Sequence, residues 1–169
     1  GRRRCQAYAG HKALTADYVK QALAAIARTI PSGARDYAIL MVYLQTGRRL
    51  SEVAALEYGD LEEQPGNKLR VTFRRCKGGK VLYDMLTHQI SSALRTYLHI
   101  IYGSDLSSIK VDAPVWISLA ERNGTRGGRL SKVSISRICE HSARPKGQRL
   151  LGIGYPCFVF PKQECSERR

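Results

Sequence analysis

The stretch that decides the fold is Thr46-Gly47-Arg48-Arg49-Leu50-Ser51-Glu52, which lies between two apolar runs. Gly47 is positioned to end a helix as a C-cap glycine. Ser51 can cap the helix that follows, so Arg48 and Arg49 are expected at a tight helix-to-helix turn. An arginine enclosed by two buried helices must be satisfied either by protein groups or by a bound anion. We therefore expect either a structural ion pair or an anion site at this turn.

The whole chain carries a strong excess of positive charge. Its 169 residues contain 28 Lys plus Arg against 14 Asp plus Glu, which gives a formal net charge of +14. Such a balance favours a polyanionic partner, most often a nucleic acid or an anionic membrane surface. An apolar content of 43% at this length is typical of one globular domain with a hydrophobic core.

The composition argues against several classes of protein. No apolar run is long enough to span a bilayer and no signal peptide begins the sequence, so we expect no membrane insertion. The five cysteines are scattered without a C-x-x-C pair, which argues against a zinc site and favours a reduced, cytoplasmic chain. The sequence contains neither a P-loop nor a metal-ligand motif, so we expect neither a metal nor a cofactor.

Hydrophobic periodicity predicts helices on both sides of the decisive stretch. Thr15 is positioned to cap a first helix, which Pro31-Ser32-Gly33 is expected to end. A second, buried helix is expected from about 34 to 46. Further helices are expected after Thr87, where the chain has its clearest apolar stripe, and after Ser131.

Two strands are expected between these helices. The segment 69–74 alternates apolar and polar residues, and 81–86 is the second candidate strand. Between them lies Cys76-Lys77-Gly78-Gly79-Lys80. A Gly-Gly pair between strands predicts a two-residue hairpin turn, because primed turns need positive φ. The fold class is therefore α+β, mostly helical, with a small antiparallel sheet.

The order of these elements resembles the catalytic domain of the tyrosine recombinase (phage integrase) family. The resemblance begins at His11-Lys12-Ala13-Leu14-Thr15 and extends to about Ala143. Arg49 matches the first catalytic arginine in the family's T-G-[apolar]-R-[apolar]-S-E box, although Arg48 occupies a position that is usually apolar. Lys77 matches the catalytic lysine of the family's K-G-x-K hairpin, and it follows the arginine in the expected order.

The resemblance implies that the protein breaks and rejoins double-stranded DNA through a phosphotyrosine link. Arg49 would neutralise the non-bridging phosphate oxygens, because a guanidinium binds phosphate bidentately and stays protonated. Lys77 would protonate the leaving 5′ oxygen. Each residue has an alternative role: Arg49 as a partner of Glu52 or of turn carbonyls, and Lys77 as a solvated turn lysine. The candidate DNA-binding residues are Arg48, Arg74, Arg75, Lys80, Arg126 and Arg129.

The family's second box, H-x-x-R, and its nucleophilic tyrosine have only poor matches here. His141-Ser142-Ala143-Arg144 fits the box literally, but the helical pattern places His141 at the end of the preceding helix, which favours structural or solvent contacts. Tyr155 is the only tyrosine after His141. It lies among Gly and Pro and too close to His141 for the family's spacing. His141, Arg144 and Tyr155 therefore remain secondary catalytic candidates.

We expect three segments: a basic linker or arm at 1–12, a partial recombinase-like catalytic domain at 13–143, and an atypical tail at 144–169. Helical periodicity is lost where the missing boxes should lie, so the tail is interpreted as a truncation, a frameshift or a divergent replacement. Activity is accordingly expected to be impaired. The alternatives are a non-catalytic DNA-binding remnant of the same fold and an unrelated basic nucleic-acid-binding protein. Family members usually assemble on DNA, which implies a homo-oligomer.

Overall fold

A computed structural model describes residues 16–74, 76–120 and 126–142. The helices are α1 (Ala16–Ala24), α2 (Pro31–Thr46), α3 (Leu50–Ala54), α4 (His88–Tyr102) and α5 (Lys132–Ser142). The strands are β1 (Leu61–Gln64), β2 (Lys68–Phe73) and β3 (Leu82–Met85). Short 3-10 turns lie at Tyr58–Asp60, Lys77–Gly79 and Leu106–Ser108. The predicted α+β class, mostly helical with a small antiparallel sheet, is confirmed.

Several sequence-based predictions fall on other parts of the chain. The basic arm at 1–12, the Thr15 cap and the tail at 144–169 lie outside the described residues. So do three predicted site residues, namely Arg75, Arg144 and Tyr155. Within the described ranges, no helix is both long and apolar enough to cross a membrane.

The sheet has the order β1-β2-β3, and both pairs of strands are antiparallel. Leu69, Val71 and Phe73 of β2 are buried in alternation, which is the pattern predicted for this strand. β1 was not predicted. Its sequence Leu-Glu-Glu-Gln has an exposed centre, so it lacks the alternation that identifies a half-buried strand.

The predicted two-residue hairpin turn is wrong. Phe73 of β2 pairs with Leu82 of β3, so residues 74–81 form a longer connection, here called the lysine loop. Gly78 and Gly79 do have positive φ, at 80° and 69°, but they belong to the 3-10 turn Lys77–Gly79. The residue after the ladder, Arg74, forms an ion pair with Asp60.

Pro31 begins a helix and does not end one. α1 already stops at Ala24, and Pro31 occupies the first turn of α2, where a missing N–H costs no hydrogen bond. Gly33 follows in the same turn. A Cβ on Gly33 would lie 2.0 Å from the carbonyl oxygen of Ala27, so the α1–α2 connection packs directly on the helix backbone.

The core lies between α2, α4 and the buried face of β2. α2 contributes Ala38, Ile39 and Val42, and α4 contributes Leu94 and Leu98, all of them almost fully buried. The predicted buried helix and the predicted α4 stripe are therefore confirmed. Burial of these apolar side chains fixes the position of α2 against α4.

A buried aromatic pair holds the segment after α4 in this core. Trp116 stacks on Tyr97 with ring centroids 5.6 Å apart. The Trp116 indole N–H donates to the carbonyl oxygen of Val53 at 2.8 Å. The Tyr97 hydroxyl accepts the backbone N–H of Ile117 at 3.1 Å. The bond to Val53 attaches this segment to α3, the short helix that follows the two adjacent arginines.

Candidate active site

The turn between α2 and α3 sets the direction of two adjacent arginines. Gly47 adopts the left-handed conformation with φ 57°, and its N–H donates to the carbonyl oxygen of Tyr43 at 3.0 Å. This confirms the predicted glycine C-cap. Arg49 then takes an extended conformation as the N-cap residue of α3. The expected Ser51 cap is wrong, because α3 already begins at Leu50.

Glu52 closes the start of α3 in place of a serine. Its Oε2 accepts the backbone N–H of Arg49 at 3.0 Å, and its Oε1 accepts from Arg49 Nη1 at 3.3 Å. The Glu52 side chain is only 5% exposed, whereas that of Arg49 is 62% exposed. The expectation that Arg49 is enclosed by helices is therefore wrong: its guanidinium opens to solvent above a buried carboxylate.

This arrangement combines both roles considered for Arg49. Glu52 engages one end of the guanidinium and fixes its orientation. An arginine has five N–H donors in a planar fork, so a partly exposed guanidinium held in this way retains donors for an anion. Because the carboxylate is part of the helix cap, the arginine is oriented before any ligand arrives, which lowers the entropic cost of binding.

Arg48 points away from Arg49 and toward the sheet. Its Nε donates to Asp84 Oδ2 at 2.6 Å, and its Cζ lies 5.2 Å from the centre of the Phe73 ring. The hydrogen bond to Asp84 raises the pKa of Arg48. The Arg48 side chain is 20% exposed. Its predicted contact with DNA stays a prediction, and the described partners of its guanidinium are within the protein.

The lysine loop lies against the same carboxylate. Burial raises the pKa of the Cys76 thiol, and the charge of Glu52 and a hydrogen bond to it raise it further, whereas the Arg48 charge lowers it. Cys76 therefore lies beside Glu52 and directly precedes Lys77 in the chain. The structure thus brings the backbone at Lys77 close to the Arg49 turn, although the two are far apart in sequence.

Two of the predicted DNA-binding arginines are also held by carboxylates. Arg74 forms a close ion pair with the buried Asp60 and donates to the Gly59 carbonyl oxygen at 3.3 Å. The pKa of Arg74 is raised by this bond. Arg129 donates to Glu57 Oε1 at 2.8 Å.

Arg129 also donates to the carbonyl oxygens of Ala54 and Leu56, at 3.5 and 3.3 Å. The Ala54 carbonyl is the last one of α3, so Arg129 binds the C-terminal end of that helix, as basic side chains commonly do. The other two predicted residues, Lys80 and Arg126, are exposed. Contact with DNA remains a prediction for all of these residues.

His141 lies at the end of α5, the helix that packs against α3. It occupies the last turn of α5 and is exposed. Burial raises the pKa of Asp36, and the nearby charges of Arg35 and His141 lower it, which puts His141 near Asp36 on α2. The predicted position of His141 near the end of a helix is confirmed, and its role stays a prediction.

A family model described as the phage integrase family matches residues 12–150. The match covers most of the chain. The chain belongs to the phage integrase family. The matched range includes the Arg49 turn, the lysine loop and α5.

Two curated relatives come from Sinorhizobium fredii (strain NBRC 101917 / NGR234). The putative integrase/recombinase y4rF is 28% identical over 145 residues, which is 78% of this integrase-family chain and 33% of the relative. The putative integrase/recombinase y4rC is 40% identical over 85 residues, covering 50% of this chain and 25% of the relative. The chain thus spans about a third or less of the length of these relatives.

Solved structures of recombinases share the fold. The crystal structure of XerA recombinase superposes with a TM-score of 0.61 at 23% identity, covering 83% of this chain and 44% of XerA. XerH site-specific recombinase, in a pre-cleavage complex with its difH substrate, gives a TM-score of 0.55 at 18% identity, covering 88% of this chain and 40% of XerH. The integrase fold assigned from the sequence is therefore confirmed.

Sequence reasoning identified Glu52 in this integrase-family site but missed Asp84, Asp60, Glu57 and Cys76. Each of these residues reaches its partner through tertiary folding, so no local spacing signals the contact. The one available signal was Arg48, a charge at a position where the family is usually apolar. A charge in such a position calls for a buried or half-buried partner.

Among the described residues, no group of three or more His, Cys, Asp or Glu side chains is arranged to hold a metal ion.

Proposed function

We propose that this integrase-family domain acts in site-specific DNA recombination, breaking and rejoining double-stranded DNA through a phosphotyrosine intermediate. One observation carries the proposal: the exposed Arg49 guanidinium is held by the buried Glu52, and the lysine loop lies beside the same carboxylate. A phosphate bound by Arg49 would therefore be near the loop that supplies Lys77. XerH site-specific recombinase, which shares the fold, is bound to its difH substrate in the pre-cleavage complex, and this supports DNA as the substrate class.

The chemistry assigns different tasks to the two cationic residues. A tyrosine hydroxyl loses its proton as its oxygen attacks the phosphorus, and the bond from phosphorus to the 5′ oxygen breaks. Arg49 stabilises the negative charge that builds on the non-bridging oxygens, which is usually the largest catalytic contribution. Lys77 gives a proton to the departing 5′ oxygen. Rejoining reverses these steps, with the 5′ hydroxyl attacking the phosphotyrosine.

The reaction also needs a nucleophile and a second arginine, and Tyr155 and Arg144 are the candidates that the sequence offers. We also propose that the segment from about 144 is a frameshifted or divergent replacement of the family's second box, so that activity is impaired. Translation of the other frames of the encoding DNA tests this idea. An H-x-x-R box and a downstream tyrosine in another frame would support it, and their absence from every frame would rule it out.

A nicked suicide duplex tests the catalytic proposal. After cleavage such a substrate releases the short fragment that carries the free 5′ hydroxyl, so rejoining fails. The covalent protein–DNA adduct then accumulates and is visible by denaturing gel electrophoresis. An adduct that is lost in Tyr155→Phe would support the enzyme, and Arg49→Met should then reduce it by at least about a hundredfold, as for loss of a preorganised charge. Lys132→Met, which removes one exposed charge outside the site, is the matched control. Adduct formation that survives Arg49→Met would contradict the role of Arg49.

The second candidate function is DNA binding without catalysis. The net charge of +14 favours it, because charge alone supports non-specific binding to duplex DNA. In that case the suicide duplex binds with steep salt dependence and no adduct forms with the wild-type chain. We further propose assembly as a homo-oligomer on DNA. Sedimentation of the protein with a duplex that carries two binding sites distinguishes one bound copy from two.

A further inference from the structure

We propose that Arg48 is a positioning residue: with Asp84 it fastens the Arg49 turn to the end of the sheet that carries the lysine loop. The inference rests on the proposed function, since it concerns how Arg49 and Lys77 are held in fixed positions relative to each other. Under this proposal Arg48 has a structural role within the protein, in place of the contact with DNA predicted from its charge.

One guanidinium contacts both strands at the base of the lysine loop. Phe73 is the last residue of β2, and Asp84 lies in β3. Arg48 Nε donates to Asp84 Oδ2 at 2.6 Å, and the Arg48 guanidinium carbon lies 5.2 Å from the Phe73 ring centre. Because Phe73 pairs with Leu82 across the ladder, Arg48 binds the two strands where the loop leaves them.

Cys76 provides a second link between the same two parts. Its thiol donates to the carbonyl oxygen of Phe73 at 3.3 Å. Its own carbonyl oxygen accepts the N–H of Gly79 at 3.2 Å, which closes the turn that contains Lys77. The thiol also borders Glu52, the residue that orients Arg49. The loop and the arginine turn are thus joined at the sheet through Arg48 and at the helix cap through Cys76.

Two chemical features make Arg48 suited to this position. The usual apolar residue of the family can pack on an aromatic ring but cannot bind a carboxylate. An arginine does both, because its planar guanidinium stacks on Phe73 while its N–H groups bind Asp84. Catalytic groups must be held within about 0.5 Å of their productive positions. An unanchored loop would place its lysine over a wider range.

The accessibility of the Cys76 thiol reports directly on this link, without DNA and without catalysis. We suggest alkylating the whole chain with iodoacetamide and following each cysteine by peptide mass spectrometry. Cys76 is partly buried and Cys139 is buried, so Cys139 serves as the internal reference for global unfolding. Arg48→Met and Asp84→Asn should each accelerate Cys76 labelling about five- to tenfold, while Cys139 labelling stays unchanged.

The direction in which Arg48→Met changes the labelling rate of Cys76 shows whether the loop has become more mobile or only the charge near the thiol has changed. Arg48 lowers the pKa of the Cys76 thiol, so its removal alone reduces the thiolate fraction and slows labelling. The proposed link predicts faster labelling, which is the opposite sign. Lys80→Met is the matched control, because Lys80 is an exposed cation of the same loop. It should leave labelling within about twofold of the wild-type rate.

A charge-swapped pair tests whether the contact itself matters. Arg48→Asp combined with Asp84→Arg restores an ion pair in the reverse direction. It should return Cys76 labelling to within about threefold of wild type, although the stacking on Phe73 is lost. General disruption of the turn would not be repaired by this exchange. Hydrogen exchange at the Gly79 amide, whose bond closes the loop turn, provides a second measurement that should follow the same order of variants.

The outcomes are distinct from those of the catalytic test. Slower or unchanged labelling in Arg48→Met, or no rescue by the swapped pair, would overturn the positioning role and leave the recombinase proposal standing. If Arg48→Met does not fold, Asp84→Asn and the exchange of the Gly79 amide decide the question. Conversely, a suicide duplex that gives no adduct would refute the catalytic proposal without affecting the labelling result.

Discussion

At the scale of single residues, the candidate site depends on a buried carboxylate beneath an exposed arginine. Glu52 accepts the backbone N–H of Arg49, the N-cap residue of α3, and holds the Arg49 guanidinium at the same time. A serine cap, as expected from Ser51, would have satisfied the helix but would have left the arginine free to rotate. Preorganisation of the arginine therefore comes from using an acidic side chain as the cap.

Glu52→Gln is expected to destabilise the fold by about 1–3 kcal/mol, because it replaces a charge-assisted bond and a cap at a buried site. Urea unfolding followed by circular dichroism measures the change. Glu62→Gln is the matched control, since Glu62 also pairs with an arginine but its side chain is 53% exposed. The control should change the unfolding free energy by less than about 1 kcal/mol. Equal effects of the two changes would show that burial of Glu52 adds nothing.

At the scale of elements, α2 begins at Pro31, and Gly33 in its first turn lies against the backbone of the α1–α2 connection. A helical Gly→Ala change ordinarily stabilises by about 0.5–1 kcal/mol. At Gly33 the new Cβ would lie 2.0 Å from the Ala27 carbonyl oxygen, which is backbone and cannot rotate away. We therefore expect Gly33→Ala to destabilise by about 1–3 kcal/mol, the range for overpacking, as measured by thermal or urea unfolding.

Ser32→Ala, at the neighbouring position, controls for helix propensity in the same turn. Ser32 is only partly buried, so this change should lie within about 0.5 kcal/mol of wild type. A Gly33→Ala variant as stable as wild type would mean that the α1–α2 connection moves away from α2 at little cost.

The sequence correctly predicts the elements that bury one face, because their apolar residues recur at the period of a helix or a strand. The apolar stripe of α4 and the alternating apolar residues of β2 can be seen in the sequence, and each marks the face that packs in the core. Gly47 likewise marks the end of α2 in the sequence. β1 has no such signal, because Glu62 and Glu63 make its centre polar. The lysine loop was misjudged for a different reason. The ladder already ends at Phe73, so the Gly-Gly pair lies within a longer loop and does not form the hairpin turn by itself.

At the scale of the whole molecule, many arginines are in ion pairs and so add nothing to the net positive charge. Seven arginines of the described residues form ion pairs with carboxylates. Each such pair is neutral overall, so the pairs orient side chains without adding to the net charge. The excess positive charge of the chain therefore comes from other basic residues. Residues 1–15 contain Arg2, Arg3, Arg4 and Lys12 and no acidic residue.

The triple change Arg2→Ala, Arg3→Ala and Arg4→Ala is therefore expected to weaken binding to duplex DNA. Each phosphate contact contributes about 0.9 to the slope of log K against log salt concentration, so the slope should fall by up to about three. Fluorescence anisotropy with a labelled duplex between about 50 and 200 mM salt measures both quantities. Arg70→Met is the matched control, because Arg70 already pairs with Glu62. An unchanged slope in the triple variant would assign DNA attraction to the catalytic domain alone and leave the arm as a solvated linker.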